Sequence, residues 1–547
     1  MKLRTDKFSY APSGIFVAIL FFCLSMLPSL LPRPWLFQGL IAGITASIGY
    51  GIGISLSSMY CWVGLKLPSK KLQSDLTRAL SVGGPAMVVL FIFLGNIWQR
   101  EVSELVGRTP NTSFYMIPIT LLSVLAFIGC VGLARSLRKL FRFTTKRVSK
   151  FLPKRASMAL SFFLVGIFIF WIISGVLFGL FESQSKSIYS SVNDTTPENV
   201  YQPKQSTRSG SSESFIAWDT LGAAGQRFVS RGPSQSQLQE FTGTTPTEPI
   251  RIYSGFKSAT TAQNRAELAV AEMKRTGAFD RSVIVLATTT GTGWLEPQSI
   301  DTIEYMYGGD TAIVTQQYSF LPSWISFLVD TDNARETGRI LYEAVYDEWA
   351  KLPEDTRPKL LAYGLSLGSF GGQSAFSGIN DIRNSIDGAL FLGTPYETEL
   401  WSEVTANRDQ GSPQWKPVYK NGETVRFASN NEDILADQSS WQGSRVLYVQ
   451  HASDPVVWFS FDLMLNKPDW LKEPRGDDVS DKTRWYPFVT FFQVAIDQFF
   501  GTSVPNGHGH NYPNTIVNAW SAVAQPTDWT PAQSSKLQTI IDGYTNE

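Results

Sequence analysis

The 547-residue chain holds three histidines, His451, His508 and His510, and all of them follow the run Gly364-Leu365-Ser366-Leu367-Gly368. G-x-S-x-G is the pattern that sets a serine on a sharp strand-to-helix turn with its oxygen exposed. A serine hydroxyl is a poor nucleophile until a base lies within hydrogen-bond reach and a carboxylate orients that base. On this turn the partners follow in the order serine, acid, histidine. Asp454, in HASDPV after the run RVLYVQH, stands in the right place for the acid, with Asp433 in NNEDI as the alternative to be weighed against an ordinary solvated loop carboxylate. Of the late histidines, His508 is favoured as base because it follows a glycine in a GHG turn, and His510 is the alternative base or a pocket residue. His451 ends a strand pattern and is expected to be structural.

Acyl transfer also needs two backbone donors aimed at the developing oxyanion. The amide of Leu367, directly after the serine, is one. The loop TTTGTGW supplies Gly291, Thr292 and Gly293 for the other, with Thr292 at its centre. That loop lacks the lysine and spacing of a phosphate-cradling P-loop, so no nucleotide cofactor is expected. No His, Cys, Asp or Glu group has metal-ligand spacing, and no metal is expected.

A five-residue pattern means little without the elements that position it. KLLAY before Ser366 reads as a buried strand, and GSFGGQSAF after it can open a helix. Further short β-branched runs, IRIYSG, VIVLATT, AIVTQQYS, GALFLGT, VRFAS and RVLYVQH, alternate with helical patterns such as AQNRAELAVAEMKRTGAF and ARETGRILYEAVYDEWAKL, and a last helix starts near Asn514. Strands separated by helices of this length imply a mostly parallel sheet covered on both faces.

The N-terminal third is of another kind. Apolar stretches run through Gly14 to Leu31, Leu36 to Trp62, Val82 to Trp98, Tyr115 to Leu133 and Met158 to Phe181, none with a charged residue inside. Each is long enough to cross a hydrocarbon core of about 30 Å as a helix. Ionisable groups inside the membrane mark conduits, so the five-helix bundle reads as an anchor first. GITASIGYGIGIS has the small residues that let helices pack closely. Lys2, Arg4 and Lys7, then Lys66, Lys70, Lys71 and Arg78, then the cations from Arg135 to Arg155, fall in alternate loops. The positive-inside rule therefore puts the N-terminus in the cytoplasm and, after five crossings, everything past Phe181 outside. RSLRKLFRFTTKRVSKFLPKR interleaves cations with apolar residues and reads as a helix on the anionic inner leaflet, with no nucleic-acid partner.

The expected organisation is a transmembrane domain over residues 1–181, a polar linker over 182–213 and an α/β catalytic domain over 214–547. Lys+Arg and Asp+Glu both total 47, so net charge points to no polyanionic partner. The three cysteines all lie in the N-terminal apolar stretches, which makes a disulfide framework in the rest of the chain unexpected.

Taken together, IRIYSG, RTGAFDR, TGTGW, GGDTA, QQYSFLPSW, GLSLGS, the W-x-x-V-T-x-x-R-D-x-G-S-P run, SDPV and GHGH resemble the membrane-anchored bacterial α/β-hydrolase family, which carries a multi-helix module before its catalytic domain. The GHG turn is similar also to the histidine loop of the prolyl oligopeptidase family. The resemblance implies an α/β-hydrolase fold with a serine triad, here Ser366, Asp454 and one of His508 or His510. Leu365 departs from the family, which more often has a polar or acidic residue there. The expected activity is hydrolysis of an ester or related acyl bond through an acyl-enzyme. Lipid or cell-envelope substrates fit the membrane location, and Trp294, Phe320, Trp324, Trp401, Trp458 and Phe459 are candidates for an acyl pocket. An acyltransferase or peptidase would use the same residues. The contrasting expectation is a membrane scaffold or transport partner whose hydrolase domain is degenerate.

Overall fold

The computed structural model describes residues 10–65, 69–110, 113, 115–436 and 440–544. Lys2, Arg4, Lys7 and Lys66, used above for orientation, lie outside the described residues. The chain forms two compact units. One is Met1–Leu180 with Phe459–Pro505, and the other is Phe181–Trp458 with Asn506–Glu547.

In the first unit, α1 (Pro12–Ser25), α2 (Trp35–Trp62), α3 (Lys70–Leu105), α4 (Met116–Val148) and α5 (Lys154–Phe170) follow one another. A π-helical turn, Trp171–Leu177, then joins α5 to α6 (Phe178–Asn193). Among the described residues, four helices are long and apolar enough to cross a membrane: Trp35–Trp62, Lys71–Leu105, Met116–Val148 and the continuous Lys154–Asn193. Five such spans were expected. The first apolar stretch yields only the 14-residue α1, about 21 Å at 1.5 Å per residue. Pro28, Pro32 and Pro34 deny the rest of that stretch its helical hydrogen bonds. The short helix still packs along α2 through small residues: a side chain on Gly53 would collide with the carbonyl of Ser13. The basic stretch from Arg135 continues α4 to Val148 as one helix.

Phe459–Pro505 lies in sequence within the expected catalytic domain, yet it packs with these helices. The buried Asp497, at the end of the helix Val489–Asp497, explains why. Its Oδ2 accepts from Ser29 Oγ at 2.5 Å and from the Leu30 amide at 3.1 Å. Its Oδ1 stands 3.4 Å from Arg33 Nε, close enough for charge attraction but not aligned as a hydrogen bond. A carboxylate cannot be buried at tolerable cost without such partners, and here they all come from the loop after α1.

The second unit is built on seven strands, β1 (Ile250–Ser254), β2 (Val283–Thr288), β3 (Thr311–Gln316), β4 (Lys359–Leu365), β5 (Gly388–Leu392), β6 (Val425–Ala428) and β7 (Arg445–Val449), all paired in parallel in the order β1-β3-β2-β4-β5-β7-β6. The strands are almost wholly buried, as near-continuous apolar runs in a sheet with helices on both faces must be. The helices Ala262–Thr276, Thr331–Trp349 and Ile516–Ala524 fall where the sequence pattern places them.

The stretch read as a polar tether is ordered. Its first part is α6, and Asn193 at the helix end accepts from Gln317 Nε2 at 3.0 Å. Further on, the Ser209 amide donates to the Arg251 carbonyl, and Ser209 Oγ accepts from the Tyr253 amide, so this stretch lies along β1. Composition predicted a chain unable to fold alone. It folds because the edge of a finished sheet offers partners for its polar groups. Beneath that edge, Arg251 is buried against Glu304 Oε2 at 2.7 Å and Asp301 Oδ1 at 2.5 Å.

Candidate active site

Ser366 follows β4, the central strand, and precedes the helix Leu367–Gln373. Its backbone, φ 56° and ψ −124°, is one that side-chain-bearing residues rarely adopt. Such strain persists only where the surroundings impose it. The Ser366 amide donates to the Leu392 carbonyl at 2.9 Å, and the helix packs so closely on the end of β2 that a side chain on Gly368 would collide with the Thr288 carbonyl. The second glycine of the pattern is therefore needed for that contact. Behind the turn, Ser369 Oγ meets Thr394 Oγ1 at 2.6 Å, and Gln373 links Ser369 to Tyr448.

Asp454 caps the short helix Pro455–Trp458, with Oδ1 accepting from the Val456 amide at 2.8 Å. Its Oδ2 lies 2.6 Å from Nδ1 of His510 and also accepts from the Tyr512 hydroxyl. His510 Nε2 has no hydrogen-bond partner among the described residues. The ring rests on the loop after β5, where a Cβ on Gly393 would be 2.5 Å from His510 Cε1. Gly393 follows Leu392, the residue that receives the Ser366 amide. One loop thus holds both the serine turn and the imidazole.

Of the two candidate bases, His510, the alternative, is the one against which Asp454 is placed, which speaks for it over the favoured His508. The two flank Gly509, which is clamped at both ends: its amide donates to Ser453 Oγ at 2.8 Å and its carbonyl accepts from His451 Nδ1 at 2.8 Å. His451 also stacks on Tyr512, with ring centroids 4.4 Å apart. Asp433 has other partners, Lys416 Nζ at 2.9 Å and the Ser429 amide at 2.9 Å. Burial pushes its carboxyl up, but the bonds from Ser429 and Lys416 outweigh this and hold it below the ordinary carboxylate range.

Leu367 is the first helical residue after the serine. In the facing loop, Thr288 and Thr289 are the residues nearest Gly368, whereas Gly293, next to Thr292, packs on Tyr253 and Gln317. The groups that face Gly368 are the carbonyls of Thr288 and Thr289. The proposed pocket aromatics separate into kinds. Trp401 and Trp458 are wholly buried core with their indole N–H groups on Gln450 and His451, while Trp294 and Trp324 are exposed. Phe459 belongs to the other unit and packs on Phe461 and Phe491.

One group near the histidine escapes sequence reasoning. Glu296 is buried, accepts from Ser299 Oγ at 2.5 Å and feels the charge of His510. Burial raises its carboxyl from 4.5 to about 7, with Ser299 and His510 pulling the other way. Nothing about Glu296 in WLEPQS marks it locally. Among the described residues no His, Cys, Asp and Glu side chains converge as a metal site would require.

An all-parallel sheet with a strained serine turn at the carboxyl end of its central strand defines the class of α/β proteins that place a site there. Residues 250–537 match a family model described as "Alpha/beta-hydrolase family", and residues 26–233 match one described as "Alpha/beta-hydrolase family N-terminus". The chain belongs to the α/β-hydrolase family. No curated protein and no solved structure matches it.

Proposed function

We propose that the chain is a membrane-anchored serine hydrolase acting on ester or related acyl bonds through Ser366, His510 and Asp454. The pairing of Asp454 with His510, seated on Gly393 next to the residue that anchors the Ser366 turn, carries this reading. Ser366 Oγ attacks the acyl carbon as His510 Nε2 takes its proton. The oxyanion is held by the amide of Leu367 and one from the facing loop, for which Thr292 is the sequence candidate, and the leaving alcohol departs with the proton from His510. Water then attacks the acyl-serine with the same imidazole as base, releasing the acid and restoring the hydroxyl. Asp454 keeps Nδ1 protonated and stabilises the imidazolium. An acyltransferase would differ only in the acceptor of the second step.

The substrate is proposed to be a lipid or cell-envelope acyl compound, and the catalytic domain to lie outside the cytoplasmic membrane. The long apolar helices support the first part of this location. The cations from Arg135 to Arg155, which cluster where α4 gives way to α5, support the orientation. A membrane-impermeant fluorophosphonate applied to intact spheroplasts tests enzyme and orientation together. Labelling of wild type but not of Ser366→Ala is expected. Labelling only after lysis would overturn the orientation alone, and no Ser366-dependent labelling in lysates would overturn the enzyme reading.

A further inference from the structure

Between β3 and the helix Thr331–Trp349 the chain runs from Ser319 to Asp330 as SFLPSWISFLVD, with no charged side chain before Asp330. The neck of this strap is closed, because Ser319 Oγ donates to Asp330 Oδ2 at 2.6 Å and the Asp330 amide donates to the Ser326 carbonyl at 2.8 Å. Its short helix, Ser323–Val329, has two faces. On the inner one Ile325 and Ser326 are buried, and Phe327 packs on the cluster of Tyr318, Ala334, Leu367 and Phe370, the last two from the helix that follows Ser366. A Cβ on Gly291 would be 2.8 Å from Ser326 Cβ, so the strap also lies on the loop after β2. The outer face carries Trp324 and Leu328, 45% and 50% exposed. Phe181 extends this apolar surface. Its ring lies 5.9 Å from that of Trp324, and it is itself exposed. Phe181 ends the apolar stretch that begins at Met158, inside the continuous helix Lys154–Asn193, and the next residue is Glu182. A spanning helix leaves the hydrocarbon where its apolar run meets its first charge, and tryptophan is enriched at that depth.

We propose that the strap from Ser319 to Asp330 seats on the lipid surface, with Trp324 and Leu328 dipping among the headgroups beside Phe181. A contiguous exposed apolar surface marks an interaction site. The partner is the bilayer, because the ring that extends the surface belongs to a helix with the length and composition of a membrane span. An amphipathic element of this kind buries its apolar face about 5 to 10 Å into the boundary between headgroups and acyl chains. The inner face of the strap, on Leu367 and Phe370, brings the same lipid surface to the flank of the Ser366 turn. A substrate whose chains lie in the bilayer then reaches the serine along the strap. That route rests on the serine-hydrolase reading, whereas the docking does not.

The test uses the full-length protein in phosphatidylcholine vesicles, with Cys23, Cys61 and Cys130 replaced by alanine and a nitrobenzoxadiazole probe attached at Leu328→Cys. The control carries the probe at Asp355→Cys, exposed in the turn before β4 and so at the opposite end of the sheet from Ser366. Lipid with a nitroxide near the top of its acyl chain should quench the strap probe severalfold more than the control, and more than lipid with the nitroxide near the chain end. Iodide in the water should quench only the control. Equal quenching of both probes by iodide would overturn the docking. Shielding of the strap probe from iodide and from both lipids would mean that protein covers it, and would overturn the bilayer as partner. Leu328→Asp should lower turnover of a diacyl lipid ester in the vesicles about tenfold more than turnover of soluble p-nitrophenyl acetate, the scale expected for losing one partly buried leucine. Equal losses on the two esters would overturn the route to the serine. Failure of wild type to turn over either ester would count against the serine-hydrolase reading, while the quenching still decides the docking.

Discussion

His510 Nδ1 lies 2.6 Å from Asp454 Oδ2, across 56 residues of sequence that include a 47-residue segment packed with the other unit. The acid and base of the proposed triad are thus separated by an excursion of the chain, and the loops on either side of it must return to register. Gly509, Ser453 and His451 make that closure.

Replacing His510 by alanine is expected to lower kcat on a p-nitrophenyl ester by about 10³-fold or more, with His508→Ala within a few-fold of wild type. Purified variants assayed side by side decide the point. Equal losses in both would mean that His510 is not the base.

Gly393 has φ 52°, and a Cβ there would be 2.5 Å from His510 Cε1. Gly393→Ala should displace the imidazole and cost about 10²-fold in kcat, the scale expected for a misplacement of about 1 Å. KM should change little and the fold should remain, as checked by circular dichroism. Unaltered turnover would show that the ring has room to move without loss.

Glu296 holds its proton to about pH 7 in the folded protein, against 4.5 ordinarily, because it is buried. The folded state therefore binds more proton than the unfolded chain between those values, and stability falls as pH rises through that window. The penalty is complete above pH 7 at about 3 kcal/mol, from 1.36 kcal/mol per pH unit. Glu296→Gln keeps an acceptor for Ser299 and removes the titration, so its stability should be flat from pH 5 to pH 7 relative to wild type. Denaturant midpoints across that range check this, and parallel slopes for the two proteins would refute it.

Arg251 is buried between Glu304 and Asp301. Arg251→Met would leave two buried carboxylates without their cation, a loss of about 3 to 5 kcal/mol. A Tm drop of several degrees is expected, with any remaining folded fraction still labelled at Ser366 because β1 lies at the sheet edge away from β4.

Much of this was legible in the residues because it depends on local pattern. Each of the seven strand runs forms a strand, since a short apolar run between helices has one stable place, the inside of a parallel sheet. The elbow was legible for the same reason: Gly364 to Gly368 encode a turn in five consecutive residues. Composition also marked the apolar helices, although proline cut the first one short.

The rest depends on contacts that no local pattern records. His508 and His510 are two residues apart beside the same glycine, and only the clamps on Gly509 from Ser453 and His451 decide which of them meets Asp454. Glu296 looks like any surface glutamate until Ser299, His510 and the sheet enclose it. Residues 182–213 look unable to fold, and they order because β1 presents an edge to pair with. Phe459–Pro505 joins the unit of long apolar helices because Asp497 finds its partners at Ser29 and Leu30, 468 and 467 residues away. Hydrophobic period and turn chemistry act over a few residues and can be read from the chain. The direction of an imidazole, the burial of a carboxylate and the allegiance of a loop are set by groups brought together only when the whole chain has folded.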